Sequence, residues 1–185
     1  MEQEINPWKT QDISIPYEND WIRLEHHEVI KPNGQPGIYG KVHFKNHAIA
    51  ILPIDVEGNT YLVGQYRYTI GAYSWELPEG GCQNELPLDA AKRELKEETG
   101  LLADNWTLLG ENYLSNSVTD EKASMYLAEG LTLTESEPED TEQLQIKKIP
   151  VQRAIEMALN GEIKDILSIT TLLTYALKVP GLHLP

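Results

Sequence analysis

The sequence predicts an α+β domain, a mixed sheet with flanking helices, and three observations predict it. Short apolar or alternating segments, punctuated by Pro, Gly and Asn, run from the N-terminus to residue 68. A helical pattern bounded by Pro87 and Gly100 then interrupts further strand-like segments. Two more helical patterns follow a last strand-like stretch toward the C-terminus.

Residues 1–47 read as extended, with turns at Pro16, at Lys31–Gly34 and at Pro36–Gly37. Between these, Trp21–Glu25 and Ile38–Phe44 alternate as strands do. Ala48–Ile54 is an apolar run, long enough for a strand buried on both faces. Asp55–Asn59 supplies turn chemistry, and Thr60–Tyr68 is expected to return beside Ala48–Ile54 as a hairpin. Residues 87–99 form the first helix, with Pro87 where a missing N–H is harmless and Gly100 as a left-handed cap. Strands are expected over Trp106–Leu114, Lys122–Leu127 and Leu144–Ile149, and helices over 151–159 and 166–178. The acidic stretch Glu135–Asp140 reads as a solvated face. With no internal repeat or low-complexity linker, the chain is expected to be one domain.

Composition narrows the function. Lys+Arg 15 against Asp+Glu 29 gives a net charge of −14, which argues against a surface that tracks a nucleic-acid backbone or an anionic membrane. A small anionic ligand is still admissible, because one arginine or a bound metal reverses the field within a pocket. The single cysteine, Cys82, allows neither an intramolecular disulfide nor a cysteine-rich zinc site, and it reads as a bystander. His26, His27, His43 and His47 lack helical ligand spacing and read as strand or surface residues. The first ten residues, MEQEINPWKT, lack the basic and apolar regions of a signal peptide, so a cytoplasmic protein is expected.

The stretch RELKEETG, residues 93–100, raises a problem for its own helix. Like charges at i,i+4, here Glu94 and Glu98, destabilise a helix by a few tenths of a kcal/mol. At about 100° per residue, Leu88, Ala91 and Leu95 form the stripe that packs on the sheet, with Lys92 and Lys96 opposite. Glu94, Glu97 and Glu98 then lie along the border of the buried stripe. One reading is a charged surface helix with Glu–Lys pairs. The other is a cradle for a hard cation, since Mg²⁺ takes carboxylates, waters and substrate phosphates. The preceding Trp75–Gly81, WELPEGG, favours the second, because glycines there allow backbone to approach an ion or phosphate closely.

Residues 80–101, GGCQNELPLDAAKRELKEETGL, resemble the signature of the Nudix hydrolases. Glu85, Arg93, Glu94, Leu95, Glu97, Glu98, Gly100 and Leu101 all match it. The spacing from Gly80 to Glu85 is one residue shorter than the signature, and Leu86 stands where a capping Asp or Ser is usual. The resemblance implies the Nudix fold, an α/β/α sandwich, over residues 48–185. It implies Mg²⁺, with Mn²⁺ as the other candidate. Glu94, Glu97, Glu98 and the backbone carbonyl of Glu79 would hold the metal, and Arg93 would orient the glutamates. Glu97 and Glu98 with Arg93 make up the expected catalytic set.

The segment from Gln65 to Pro78 is similar to the branch that cleaves ADP-ribose and nucleoside diphosphate sugars. That likeness makes Arg67 a candidate diphosphate clasp and Tyr66, Trp75 and Glu76 candidate substrate contacts. Ser115–Glu121 is similar, more loosely, to a loop that brings an acid over the diphosphate. Glu121 is its candidate base or extra ligand, with Asp120 as the alternate. In that branch an N-terminal β-rich segment, here residues 1–47, helps to form a homodimer. Other nucleoside triphosphate or dinucleoside polyphosphate substrates, and a non-catalytic nucleotide-binding module, are the alternatives. No membrane or nucleic-acid partner is expected.

Overall fold

The computed structural model describes residues 5–82, 84–134 and 144–179. The acidic stretch 135–140 lies outside the described residues. Two compact units divide the chain: Met1–Asn46 with Tyr113–Glu121, and His47–Asn112 with Lys122–Pro185.

The first unit is a three-stranded antiparallel sheet, β1 (Lys9–Glu18), β2 (Ile22–Ile30) and β3 (Pro36–Phe44), in that order. The β2–β3 connection forms where Lys31–Gly34 predicts a turn: Gly34 has φ 80°, and its N–H donates to the Lys31 carbonyl at 2.8 Å. Two of the expected turns are instead strand. Pro16 lies inside β1, in the stretch between Ser14 and Tyr17 where the register shifts, on an edge strand where a missing donor is tolerated. Pro36 and Gly37 open β3, paired with Ile30 and Val29.

The second unit holds two sheets. One has the order β10 (Gln145–Pro150), β5 (Asn59–Arg67), β6 (Ala72–Glu76). The other runs β7 (Glu79–Gly81), β4 (Ala48–Ile54), β9 (Lys122–Leu133), β8 (Leu101–Tyr113). Here the expected hairpin fails. The Asp55–Asn59 turn is present, with Asp55 Oδ1 accepting from the N–H groups of Glu57 and Asn59 at 2.9 Å. Yet β4 and β5 enter different sheets. β4 pairs with β9 in parallel and with β7 antiparallel, which uses both its edges and mixes the sheet. A run this apolar suits a central parallel strand covered on both faces, and every residue after Ala48 is buried.

The helices fall where expected: α1 (Pro87–Thr99), α2 (Val151–Leu159) and α3 (Ile166–Lys178). Ala90, Ala91 and Leu95 of α1 pack in one core with Ile49 and Ile51 of β4, Leu101, Tyr126 and Ala128. Leu95 is fully buried, worth about 2 kcal/mol of apolar burial. Alternation turns Ala50 and Leu52 to the opposite face of β4, and α3 packs against β4 and β9. The fold is thus α+β with mixed sheets and, among the described residues, three helices. β8 begins five residues before the expected strand, at Leu101 directly after the Gly100 cap, and β9 runs on to Leu133.

Candidate active site

α1 owes its position to its two ends. Leu86 makes no side-chain cap, as its type requires, and Pro87 follows at the first helical position. The shortened loop before it closes through Asn84, which takes a left-handed φ of 66° and donates its N–H to the Cys82 carbonyl at 3.0 Å. Asn adopts that conformation more readily than most side chains. At the far end Gly100, φ 69°, donates to the Lys96 carbonyl and stops the helix.

Between these ends the glutamates are held by one guanidinium. Arg93 Nε and Nη2 both donate to Glu85 Oε1, at 2.9 and 2.7 Å. Its Nη1 donates to Glu94 and to Glu97 at 2.8 Å each, and Nη2 also reaches the Gly81 carbonyl at 3.0 Å. Burial opposes the arginine's charge, but the bonds to Glu85, Glu97 and Glu94 outweigh it and raise its pKa. Glu98 lies on the buried face of α1, 4% exposed, one step further in than the helical wheel places it. Its Oε2 accepts the Glu79 N–H at 3.0 Å. Among the described residues no group of three or more His, Cys, Asp or Glu is gathered as a ready-made metal cluster.

Two observations nevertheless suit a hard divalent cation. Burial pushes the Glu94 carboxyl above its usual range and the Glu97 charge adds to this, against the pull of Arg93 and the Gly81 N–H. Arg93 supplies a single positive charge to three carboxylates, Glu85, Glu94 and Glu97. Gly80 also brings backbone against that carboxylate: a Cβ there would sit 2.1 Å from Glu94 Cδ, so any other residue would have to push the Glu94 side chain aside. Oxygen donors beside an approachable backbone are the chemistry that Mg²⁺ or Mn²⁺ takes.

The turn leading to Gly80 is pinned along its length. The Ile51 N–H donates to the Pro78 carbonyl at 2.9 Å. The Leu77 N–H donates to Ser168 Oγ at 2.9 Å, and that hydroxyl donates to Glu79 Oε1 at 2.6 Å. Burial, and Asp165 beside it, push the Glu79 carboxyl well above the usual range. Sequence reading missed Ser168 and Asp165. Their signal was an N-cap: Asp165 Oδ2 accepts from the Ser168 N–H at 2.6 Å at the start of α3.

Arg67 and Glu76 pair with each other. Arg67 Nε lies 3.1 Å from both Glu76 oxygens, with Nη2 closing the pair, and Glu76 is buried. Glu76, with Glu79 and Glu98 further off, raises the pKa of Arg67. Tyr66 is 64% exposed. Trp75 carries Lys147 Nζ over its ring at 3.8 Å and Tyr73 against it edge-on at 5.7 Å. Gly64 makes room for both rings, since a Cβ there would meet Tyr73 Oη at 2.5 Å and Trp75 at 2.7 Å. Cys82 is buried in the core against α1, and burial raises its thiol pKa.

Residues 115–121 belong to the first unit and are stitched to β3. The Val42 N–H donates to the Val118 carbonyl at 2.9 Å, and Tyr39 Oη donates to the Ser117 carbonyl at 2.8 Å. Asp120 spends both oxygens on this: Oδ1 on the Phe44 N–H at 3.0 Å, Oδ2 on Lys41 at 2.7 Å and His43 at 2.6 Å. These bonds make Asp120 an anchor of the loop on β3. Glu121's N–H donates to Thr119 Oγ1 at 3.3 Å.

The NUDIX domain model matches residues 45–167. The chain is 34% identical over 143 residues to an ADP-ribose pyrophosphatase of Mycobacterium tuberculosis (strain H37Rv), covering 75% of this chain and 69% of that protein. It is 30% identical over 149 residues to an ADP-ribose pyrophosphatase of Bacillus subtilis (strain 168), covering 78% and 79%. Among solved structures, one titled "Crystal structure of ADP compounds hydrolase" matches with a TM-score of 0.86 at 20% identity, over 98% of this chain and all of that one. At that identity the match speaks for the fold.

Proposed function

This chain belongs to the NUDIX domain family and is a Nudix pyrophosphohydrolase; we propose that it cleaves the diphosphate of a nucleoside diphosphate sugar, with ADP-ribose the first candidate. Water adds across the phosphoanhydride: one P–O–P bond breaks, one new P–O bond forms, and a nucleoside monophosphate and a sugar phosphate leave. The observation that carries this reading is the gathering of the Glu85, Glu94 and Glu97 carboxylates on the single guanidinium of Arg93. The two relatives named as ADP-ribose pyrophosphatases support the substrate class.

Glu94, Glu97, Glu98 and the Glu79 carbonyl would hold Mg²⁺ or Mn²⁺. The metal supplies charge neutralisation at the phosphoryl oxygens and an acidified water. Arg93 keeps the glutamates oriented, a positioning task suited to its rigid fork. Arg67, held by Glu76, meets the diphosphate, and Tyr66 and Trp75 meet the nucleoside or sugar. For Trp75 that contact requires Lys147 to leave its ring or share it. Glu121 serves as base or extra ligand. The enzyme acts as a homodimer through its N-terminal unit. Ile13, Ile15 and Tyr17 of β1, each at least half exposed, support that reading.

Incubation with Mg²⁺ and ADP-ribose, ADP-glucose, GDP-mannose or UDP-glucose, followed by product chromatography, tests the proposal. AMP and ribose 5-phosphate from ADP-ribose are expected. Inertness toward every sugar nucleotide, with pyrophosphate or orthophosphate released from nucleoside triphosphates, would overturn it. No helix among the described residues is long and apolar enough to cross a membrane.

A further inference from the structure

The family match ends at residue 167, one residue before a fully buried serine that the signature does not include. From Ser168 we infer a positioning role: through its hydroxyl, the start of α3 sets the backbone of the Leu77–Glu79 turn at the active site. The inference rests on the proposed metal site and concerns a residue that would not itself touch metal or substrate.

The geometry is a double tether. One hydroxyl accepts from the Leu77 N–H and donates to the Glu79 carboxyl, so it grips the turn at both ends. Between those ends the Pro78 carbonyl is fixed by β4. With its side chain drawn toward α3, Glu79 presents its N–H to Glu98. Gly80 follows immediately, where a Cβ would sit 2.1 Å from Glu94 Cδ. A shift of the turn by a few tenths of an ångström therefore alters the setting of both Glu94 and Glu98. Ser168 is itself fixed by the cap, its N–H on Asp165. A buried hydroxyl with both hydrogen-bonding roles used is costly to replace, and groups that orient ligands from behind typically change metal affinity by about 10–100-fold.

The test reads metal binding directly. Mn²⁺ is titrated by electron paramagnetic resonance into wild-type protein, Ser168→Ala, Glu79→Ala and the double variant, well below their melting temperatures. Steady-state kinetics with ADP-ribose run in parallel. Expected are about tenfold weaker Mn²⁺ binding in Ser168→Ala, a loss in kcat larger than the change in KM, and partial recovery in Ser168→Thr. Because the two side chains act as one tether, the double variant should lose little more than either single one. If Ser168→Ala fails to fold, Glu79→Ala cuts the same tether from its other end and is judged by the same criterion. Wild-type Mn²⁺ affinity and kcat in a folded Ser168→Ala or Glu79→Ala would overturn the inference. Wild-type protein that binds Mn²⁺ but cleaves no sugar nucleotide overturns the substrate reading instead, and leaves the binding comparison to decide on Ser168. Wild-type protein that binds no Mn²⁺ overturns the metal site and this inference with it.

Discussion

Two charge clusters in this molecule use similar residues and reach opposite settings. On α1 one guanidinium is shared among Glu85, Glu94 and Glu97, and the Glu94 carboxyl is left above its usual range. In the N-terminal unit Glu25 is surrounded by Arg23, His27 and Lys41, and Asp120 by Lys41, His43 and the Phe44 N–H. There burial again opposes charge, but the bonds from His27 and Arg23 hold Glu25 at about 2. Those from His43 and Lys41 hold Asp120 below the usual carboxylate range. A compensated cluster fastens one strand to another. Three carboxylates sharing one guanidinium, with a perturbed carboxyl among them, mark a candidate ligand site.

The largest loss is expected at Glu98. Glu98→Gln keeps an acceptor for the Glu79 N–H but removes the charge, so turnover should fall about a thousandfold with the circular dichroism spectrum unchanged. Near-wild-type turnover would make the α1 cluster as structural as the other. Arg93→Lys keeps the charge and loses the fork; activity should drop by about 10–100-fold, with more Mg²⁺ needed for half-maximal rate. An unchanged Mg²⁺ requirement would contradict the positioning role.

The compensated cluster should answer in stability instead. Glu25 is depressed from 4.5 to about 2. Its contribution is therefore complete above about pH 4.5 and is lost as pH falls toward 2. Thermal melts should show Glu25→Gln less stable at neutral pH by on the order of 1 kcal/mol, with the gap closing across that window. A gap that widens on acidification would invert the assignment. Asp120→Asn should have the smallest global effect, seen as faster amide exchange at residues 115–121. Unaltered exchange there would mean that Asp120 does not anchor the loop.

What could be read from the sequence alone follows from how local each signal is. The bounds of α1 rest on Pro87 and Gly100, adjacent to the residues they govern, and both ends fall as expected. Likewise, the signature glutamates and Arg93 lie within one helical turn or two, so their spacing carries their proximity. The β4–β5 hairpin failed because Asp55–Asn59 records only that the chain turns. Which strand then pairs with β4 was decided by β9, some seventy residues later. The Ser168 contact was hidden for the same reason: its cap with Asp165 is local, while its partners Leu77 and Glu79 are about ninety residues away. Arg67 and Glu76 were each read as substrate contacts. That they hold one another depends on the β5–β6 register, which no single residue announces.

If the α1 carboxylates bind a cation, melting with and without Mg²⁺ reads that binding without reference to any substrate. A cation that binds only the folded state raises the melting temperature by linkage. A clear rise is expected for wild-type protein, a much smaller one for Glu98→Gln, and the full wild-type rise for Asp120→Asn. Equal rises in wild type and Glu98→Gln, or none in either, would contradict binding at these carboxylates.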